Sequence, residues 1–514
     1  MVNPTLPVEV PDDLALQDAG TLPWPTRRQL FAGLMCYFGL HVVIRTFLSS
    51  SVGLDESEQV LFAQRLSWGY GPQPPLYTWL QIGFFSLFGQ SIFSLALLKN
   101  LLLFCTYCLT YTNARLVTRS HAAGIAAAVS LLFVPQVVWE SQRDLTHSVL
   151  GATLSAAAFC CLLRALATRR TVWYLLLGLC AGLGLLSKFN SGLWMAAICL
   201  ATLSIREHRP ALLDKRILLT AGICLLVFLP HGTWMLTHKH LAFESASKLK
   251  LEAAGAWLKP ASIGVRNLLV AVVSFLGPLL LMYTAVFFKA ERRPVLPESE
   301  TNYQKLLLRT FLFVALLTVT LVVAFRATGF RDRWLLPLLI AVPVLLIAML
   351  RDRLDPLRLR RLVTAGGTVA AVVTLLIPGR ILFGAKVHRE EPLMRPYDAL
   401  AAELRSAVPP SSFLVADTTL LAGNLRLALA PMTVVTPDQV DLFNCQELHC
   451  LLVWDTRRGD LPPQPLLDWA QAWTTMNLSQ VPTQYVTARY KFHDSRQMRL
   501  GILILNQPPK RLAL

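Results

Sequence analysis

Thr310-Phe311-Leu312-Phe313-Val314-Ala315-Leu316-Leu317-Thr318-Val319-Thr320-Leu321-Val322-Val323-Ala324-Phe325 holds no charged side chain. Arg326-Ala327-Thr328-Gly329-Phe330-Arg331-Asp332-Arg333 then turns the chain into a second apolar run, Trp334 to Leu350. A helix needs about 20 apolar residues to cross a bilayer. Two long apolar runs joined by a short charged turn read as a pair of membrane spans. Working outward, comparable runs lie near 30–50, 92–111, 122–139, 148–166, 173–186, 191–205, 217–236, 264–288 and 362–380. With the first pair they predict eleven spans, the hairpin at 173–205 having the shortest arms. The run at 76–90 is apolar but short, and reads as a helix lying along the interface.

Composition agrees. Of 514 residues, 54% are hydrophobic and 15% charged, and the mean hydropathy is +0.49. Soluble domains carry about 25% charged residues, so a single soluble globule and a disordered chain are both excluded. A net charge of +17 would suggest nucleic acid in a soluble protein. Here the cations gather in loops, and no nucleic-acid partner is expected. The N-terminal arm and the loops at 112–121, 164–170, 206–216, 289–309 and 351–361 hold 21 Lys and Arg, against 10 in the opposite set. That asymmetry places the first set in the cytoplasm, and counting 76–90 as a span would reverse it. The first run follows Arg27-Arg28 without an Ala-x-Ala cleavage pattern and reads as a retained anchor.

Residues 1–29 are then a cytoplasmic tail, 30–380 a transmembrane domain and 381–514 a soluble domain outside the cytoplasm. That last region alternates short apolar runs (Ser412–Ala416, Cys450–Trp454, Gly501–Leu505) with polar, Pro-rich stretches, the pattern of an α/β domain. Cys445 and Cys450 read equally as a disulfide or as two free thiols. The remaining cysteines sit mostly within apolar runs as small hydrophobes. There is no internal repeat, P-loop or Gly-x-Gly-x-x-Gly, and no His/Cys cluster with metal-ligand spacing.

The ionisable residues of the outer loops carry the chemistry. Gly53-Leu54-Asp55-Glu56-Ser57-Glu58 sets three carboxylates just beyond the first span. They read as a general base for an acceptor hydroxyl, or as the acidic start of a helix running through Gln59, Phe62, Ala63 and Leu66. A held carboxylate satisfies both. Gly69-Tyr70-Gly71-Pro72-Gln73-Pro74-Pro75-Leu76 is a tight turn before the interfacial helix. Trp139-Glu140-Ser141-Gln142-Arg143-Asp144-Leu145-Thr146-His147 brings four ionisable types to the membrane edge, where they are costly without a task. The alternative is a hairpin with Arg143 and Asp144 paired. Lys188, Arg331 and Arg333 run against the charge bias of outer loops. They read as phosphate ligands or as side chains snorkelling to headgroups, with Asp332 free to neutralise one Arg. Arg45, near the outer end of the first span, reads as a snorkeller. The loop at 237–262 interleaves apolar and basic residues, as a mobile cover or a passive interfacial helix would.

In their order along residues 30–380, these motifs resemble the dolichyl-phosphate-mannose protein mannosyltransferase family (glycosyltransferase family 39). They are Asp55-Glu56 after the first span, Gly69-Tyr70 with Pro74-Pro75-Leu76 and Trp79, Arg143-Asp144, Ser187-Lys188 and Arg333-Trp334 with Pro337. The similarity is to the bacterial branch, which holds the lipid A aminoarabinose and core galacturonosyl transferases. It implies a GT-C fold: a polytopic α-helical membrane protein of about eleven spans with a soluble α/β domain. It also implies transfer of a sugar, usually with inversion, from a polyprenyl-phosphate donor to a lipid, glycan or protein hydroxyl at the outer face of the inner membrane. By motif position Asp55 is the base, Glu56 its neighbour and Asp144 the second-loop acid; Lys188, Arg331, Arg333 and Arg143 are phosphate contacts. No cofactor is implied and a metal is left open. Where aminoarabinose transferases carry Glu-Lys-Pro, this chain has Gln73-Pro74, which argues against aminoarabinose as the sugar. The alternative of another class is a transporter or lipid flippase; the missing repeat and the one-sided ionisable residues speak against it.

Overall fold

The computed structural model describes residues 25–242, 250, 258–288, 301–387, 390–407, 409, 412–443, 449–492 and 496–506. Most of the expected cover loop and Cys445 lie outside the described residues. Among the described residues, seven helices are long and apolar enough to cross a membrane: Arg27–Leu48, Ile92–Thr118, His147–Thr168, Ile217–Thr237, Leu258–Phe287, Asn302–Ala324 and Pro356–Leu382. Two further runs are bent, His121–Phe133 into Gln136–Arg143 by 73° and Asp332–Leu339 into Val342–Met349 by 56°. Pro135 and Pro343 stand just before or within the second halves, where a missing N–H and a ring clash interrupt the helical ladder.

The 173–205 hairpin forms as helices Thr171–Ser187 and Ser191–Ser204, of 17 and 14 residues. At about 1.5 Å per residue both fall short of a hydrocarbon core of about 30 Å, so against the eleven spans expected the described residues hold seven helices of crossing length, or nine with the bent pairs, and two shorter hairpin arms. Leu76–Phe88, with 13 residues, is shorter still.

The C-terminal region builds a five-stranded sheet, β1 (Ser412–Ala416), β2 (Val434–Val435), β3 (His449–Asp455), β4 (Gln484–Arg489) and β5 (Gln497–Leu505), in the order β2-β1-β3-β5-β4. β1 runs parallel to β2 and β3; β5 is antiparallel to β3 and to β4. Alternate residues of β1 and β3 face opposite ways. Leu414, Ala416, Leu451 and Val453 pack with helices Tyr397–Ala407 and Thr419–Leu429, while Phe413, Val415, Leu452 and Trp454 pack with Gln464–Trp473. Burial on both faces is why these strands read as unbroken apolar runs.

A short helix after the first span, Leu54–Phe62, joins the two regions. Its Leu61 is fully buried in the core of the C-terminal sheet. The Thr419–Leu429 helix lies directly on it. At Gly423 any Cβ would run into the Ser57 backbone, so only glycine allows this approach. Next to it, Asn424 accepts from Val52 N (2.8 Å) and donates to Val52 O (3.1 Å) and Ser57 Oγ (3.1 Å). The helix carrying Asp55 is therefore held from the C-terminal side as firmly as from the bundle.

Candidate active site

Asp55 and Glu56 stand in the first turn of the Leu54–Phe62 helix, whose N-cap Gly53 has no side chain to offer. Asp144 takes that place from across the site. Its Oδ2 accepts from Leu54 N at 3.2 Å and its Oδ1 from Asp55 N at 3.1 Å, as a carboxylate does at a helix N-terminus. A Cβ on Gly53 would overlap the Asp144 carboxylate. Asp144, expected as the second-loop acid, is thus engaged with the backbone that carries Asp55.

Glu56, expected as the neighbour of the base, is engaged as well. Only 2% exposed, it lies between Arg45 (2.6 Å) and Lys99 (3.0 Å). Burial opposes its ionisation, yet the two cations outweigh burial and hold it at about 2. Arg45 is no snorkeller: it is buried, and it also donates to Ser49 O and Ser51 O. Lys99 was not singled out from sequence, although a lysine in the middle of a long apolar helix is itself a signal. It sits beside a buried polar layer in which Gln142 donates to Asn100 Oδ1 (2.9 Å). A second such layer links Thr78, Gln59 and His147.

Asp55 points the other way. Its Oδ1 is 3.8 Å from Arg333 Nη1. Burial pushes its carboxyl up, opposed by Arg333, Lys188 and Lys99. Burial and the Asp55 carboxyl likewise push Asp144 up to about 8. Arg333 leads into a cleft of about 660 Å³ that Lys188, Arg331 and Arg333 share with Leu321 and Val322 of the Asn302–Ala324 helix and with Phe325 just after it. Its lining is largely hydrocarbon, with the three cations among it. Lys188 donates to Ser148 Oγ, and burial, then the nearby Arg333, lowers it to about 7. Asp332 does not take up an Arg side chain through the bonds it makes here: its carboxylate accepts from Gln136 (2.7 Å) and from the Arg333 backbone (2.8 Å). Arg143 is not brought to this cleft. Half-exposed and paired with Glu140 at 3.1 Å, it lines a separate crevice with Arg380 and Glu391.

A largely apolar cleft lined by three cations, with the half-buried Asp55 carboxyl beside Arg333, matches a ligand that has a lipid tail and an anionic head. Known proteins agree. The family model described as dolichyl-phosphate-mannose-protein mannosyltransferase matches residues 72–234. The lipopolysaccharide core galacturonosyltransferase RgtB of Rhizobium johnstonii is 35% identical over 93% of this chain and 98% of its own length. The chain belongs to this glycosyltransferase family. RgtA of the same bacterium, also a lipopolysaccharide core galacturonosyltransferase, is 33% identical over 80% of this chain and 83% of its own. The crystal structure of ArnT from Cupriavidus metallidurans bound to undecaprenyl phosphate has the same GT-C fold. Its TM-score is 0.61 and its identity 14%, over 93% of this chain and 98% of ArnT. The protein is a multi-pass membrane glycosyltransferase, and the transporter reading gives way to it.

Proposed function

We propose that this transferase moves galacturonic acid from a polyprenyl-phosphate donor to a hydroxyl of the lipopolysaccharide core, at the periplasmic face of the inner membrane. The observation that carries the reading is the cleft itself, with its apolar lining for a prenyl tail and Lys188, Arg331 and Arg333 for the phosphate. Asp55 takes the proton from the acceptor hydroxyl. The acceptor oxygen bonds to the sugar's anomeric carbon as the bond from that carbon to the phosphate oxygen breaks, with inversion. The electron pair leaves with the polyprenyl phosphate, whose charge the three cations hold in a water-poor site. Asp144 and Glu56 position Asp55, one by capping its helix and the other by tying that helix to Arg45 and Lys99.

The sugar assignment draws on the galacturonosyltransferase relatives and on charge. Three cations line the cleft, and the loop that bears Lys in aminoarabinose transferases has Gln73. A sugar that is itself an acid suits that field better than an amino sugar. The loop charges of the sequence support periplasmic sidedness; a reporter at residue 420 that reads cytosolic would reverse it. The central test is mass spectrometry of core oligosaccharide from a deletion strain carrying either the wild type or Asp55→Asn. The wild type restores one hexuronate mass and Asp55→Asn does not, while both accumulate in the membrane. Restoration by Asp55→Asn removes the base assignment. A restored mass other than hexuronate removes the sugar.

A further inference from the structure

A second cavity of about 660 Å³ lies in the C-terminal region, with Leu54 in its wall. It occupies the carboxyl edge of the parallel strands. Asp417 follows β1, Thr436 follows β2, and Asp455 to Arg458 end β3 and follow it. In the order β2-β1-β3-β5-β4 the chain leaves β1 toward β2 on one side, and leaves β3 toward the antiparallel strands on the other. The two loops diverge, and the crevice outside such a divergence is where open α/β sheets take ligands. The transfer chemistry derived above leaves this cavity unused.

Two polar atoms of its lining are buried without a partner, Thr436 Oγ1, on a residue 2% exposed, and Arg395 Nε. Buried polar groups are otherwise almost always paired, so both stand ready for oxygen atoms from outside. Arg457 serves as wall: it is occupied by Asp455, Glu390 and Tyr490. Arg458 and Asp438 are exposed at the rim, and Asp417 takes only the hydroxyl of Thr418 and a long 3.5 Å bond from Asp455 N. Carboxylates accept from hydroxyl groups and guanidinium groups fork onto acid groups. Both kinds together fit a polyhydroxylated anion. Leu54 in the wall is the chain neighbour of Asp55, so the cavity opens one residue along the same helix turn from the base.

We propose that this cavity is the acceptor subsite, taking an oligosaccharide that carries carboxylate or phosphate groups. Its anionic group lies on Arg395 and Arg458 and its hydroxyls on Asp417, Asp438 and Thr436, and its free end reaches Asp55. The proposal rests on the transferase reading and separates acceptor from donor, which meet only at Asp55.

The test is calorimetric titration of the full-length protein in detergent with water-soluble core oligosaccharide, released from lipopolysaccharide of the deletion strain. Wild type and Asp55→Asn bind it alike. Arg458→Ala, at an exposed position, and Thr436→Val each weaken binding tenfold or more, whereas Arg489→Ala on β4 binds as wild type does. Carboxyl-reduced, dephosphorylated oligosaccharide binds at least tenfold more weakly, and undecaprenyl phosphate does not compete. No binding by the wild type, normal binding by both cavity variants, equal binding of the neutral sugar, or displacement by undecaprenyl phosphate overturns the proposal. Binding that follows this pattern in a protein that transfers no galacturonate leaves the subsite standing and removes the sugar assignment instead.

Discussion

Asp144→Asn separates a capping carboxylate from a proton-transfer group. In the wild type both Asp144 oxygens accept backbone N–H bonds at the start of the helix that carries Asp55. A carboxamide keeps one accepting oxygen and turns an NH2 toward the other amide. One hydrogen bond to a carboxyl that is largely neutral below about pH 8 is lost, worth about 0.5–1.5 kcal/mol, and the surviving oxygen retains part of the cap. If that loss falls on the placement of Asp55 in the transition state, kcat drops about 2- to 10-fold at about 1.4 kcal/mol per decade. A second consequence concerns pH. Asp144, pushed up to about 8 by burial and in part by Asp55, is largely neutral below that pH, so Asn at 144 removes little charge there and the acid limb of kcat/KM stays where Asp55 sets it. Gly53→Ala reaches the same state by another route, because its methyl displaces the Asp144 carboxylate while both acids remain in the chain. The assay is initial-rate transfer of labelled galacturonate to lipopolysaccharide across a pH series. Asp144→Asn as inactive as Asp55→Asn, with a near-normal Gly53→Ala, refutes the capping argument.

Over the same pH series wild-type kcat/KM is a bell: it rises as the burial-raised Asp55 loses its proton, and falls near pH 7 as Lys188, lowered to about 7 by burial, loses the charge that holds phosphate. Lys188→Met removes the alkaline limb. Arg333→Ala strips a forked donor from the leaving phosphate and raises donor KM about 10- to 100-fold, the worth of a charge-assisted bond; an unchanged donor KM takes Arg333 out of the phosphate site. Asn424→Ala leaves Val52 N–H and C=O buried without their partner, at about 1–3 kcal/mol per unsatisfied group. A lower melting temperature in detergent and faster proteolysis of the C-terminal region are the expected readouts.

Span positions were legible because a bilayer imposes one simple demand, some twenty apolar residues in a row, and the chain meets it visibly. The strands of the C-terminal region were legible for a related reason: Phe413–Ala416 and Cys450–Trp454 are buried on both faces and so read as plain apolar runs. Asp55 and the cationic turn were legible because charge at a membrane edge is costly and stands out. Partnership was not legible. Glu56 and Asp55 are adjacent in sequence, yet a helix turns successive side chains about 100° apart. One therefore meets Arg45 and Lys99, and the other Arg333. Arg143 and Lys188 both read as phosphate ligands, and only Lys188 reaches the cleft. Thr436 and Arg395 carry no local signal at all.

By itself the sequence determined that the chain crosses a membrane many times, where those crossings lie, and that acids and cations collect at their ends. These follow from hydropathy and charge, which each residue carries wherever it is placed. The tertiary structure alone decided which acid stands beside Arg333 and which is spent on capping or on a buried ion triad. It also decided that residues near 55, 144, 333 and 424 share one site, because distances between groups so far apart in the chain are set only when the helices and the sheet pack.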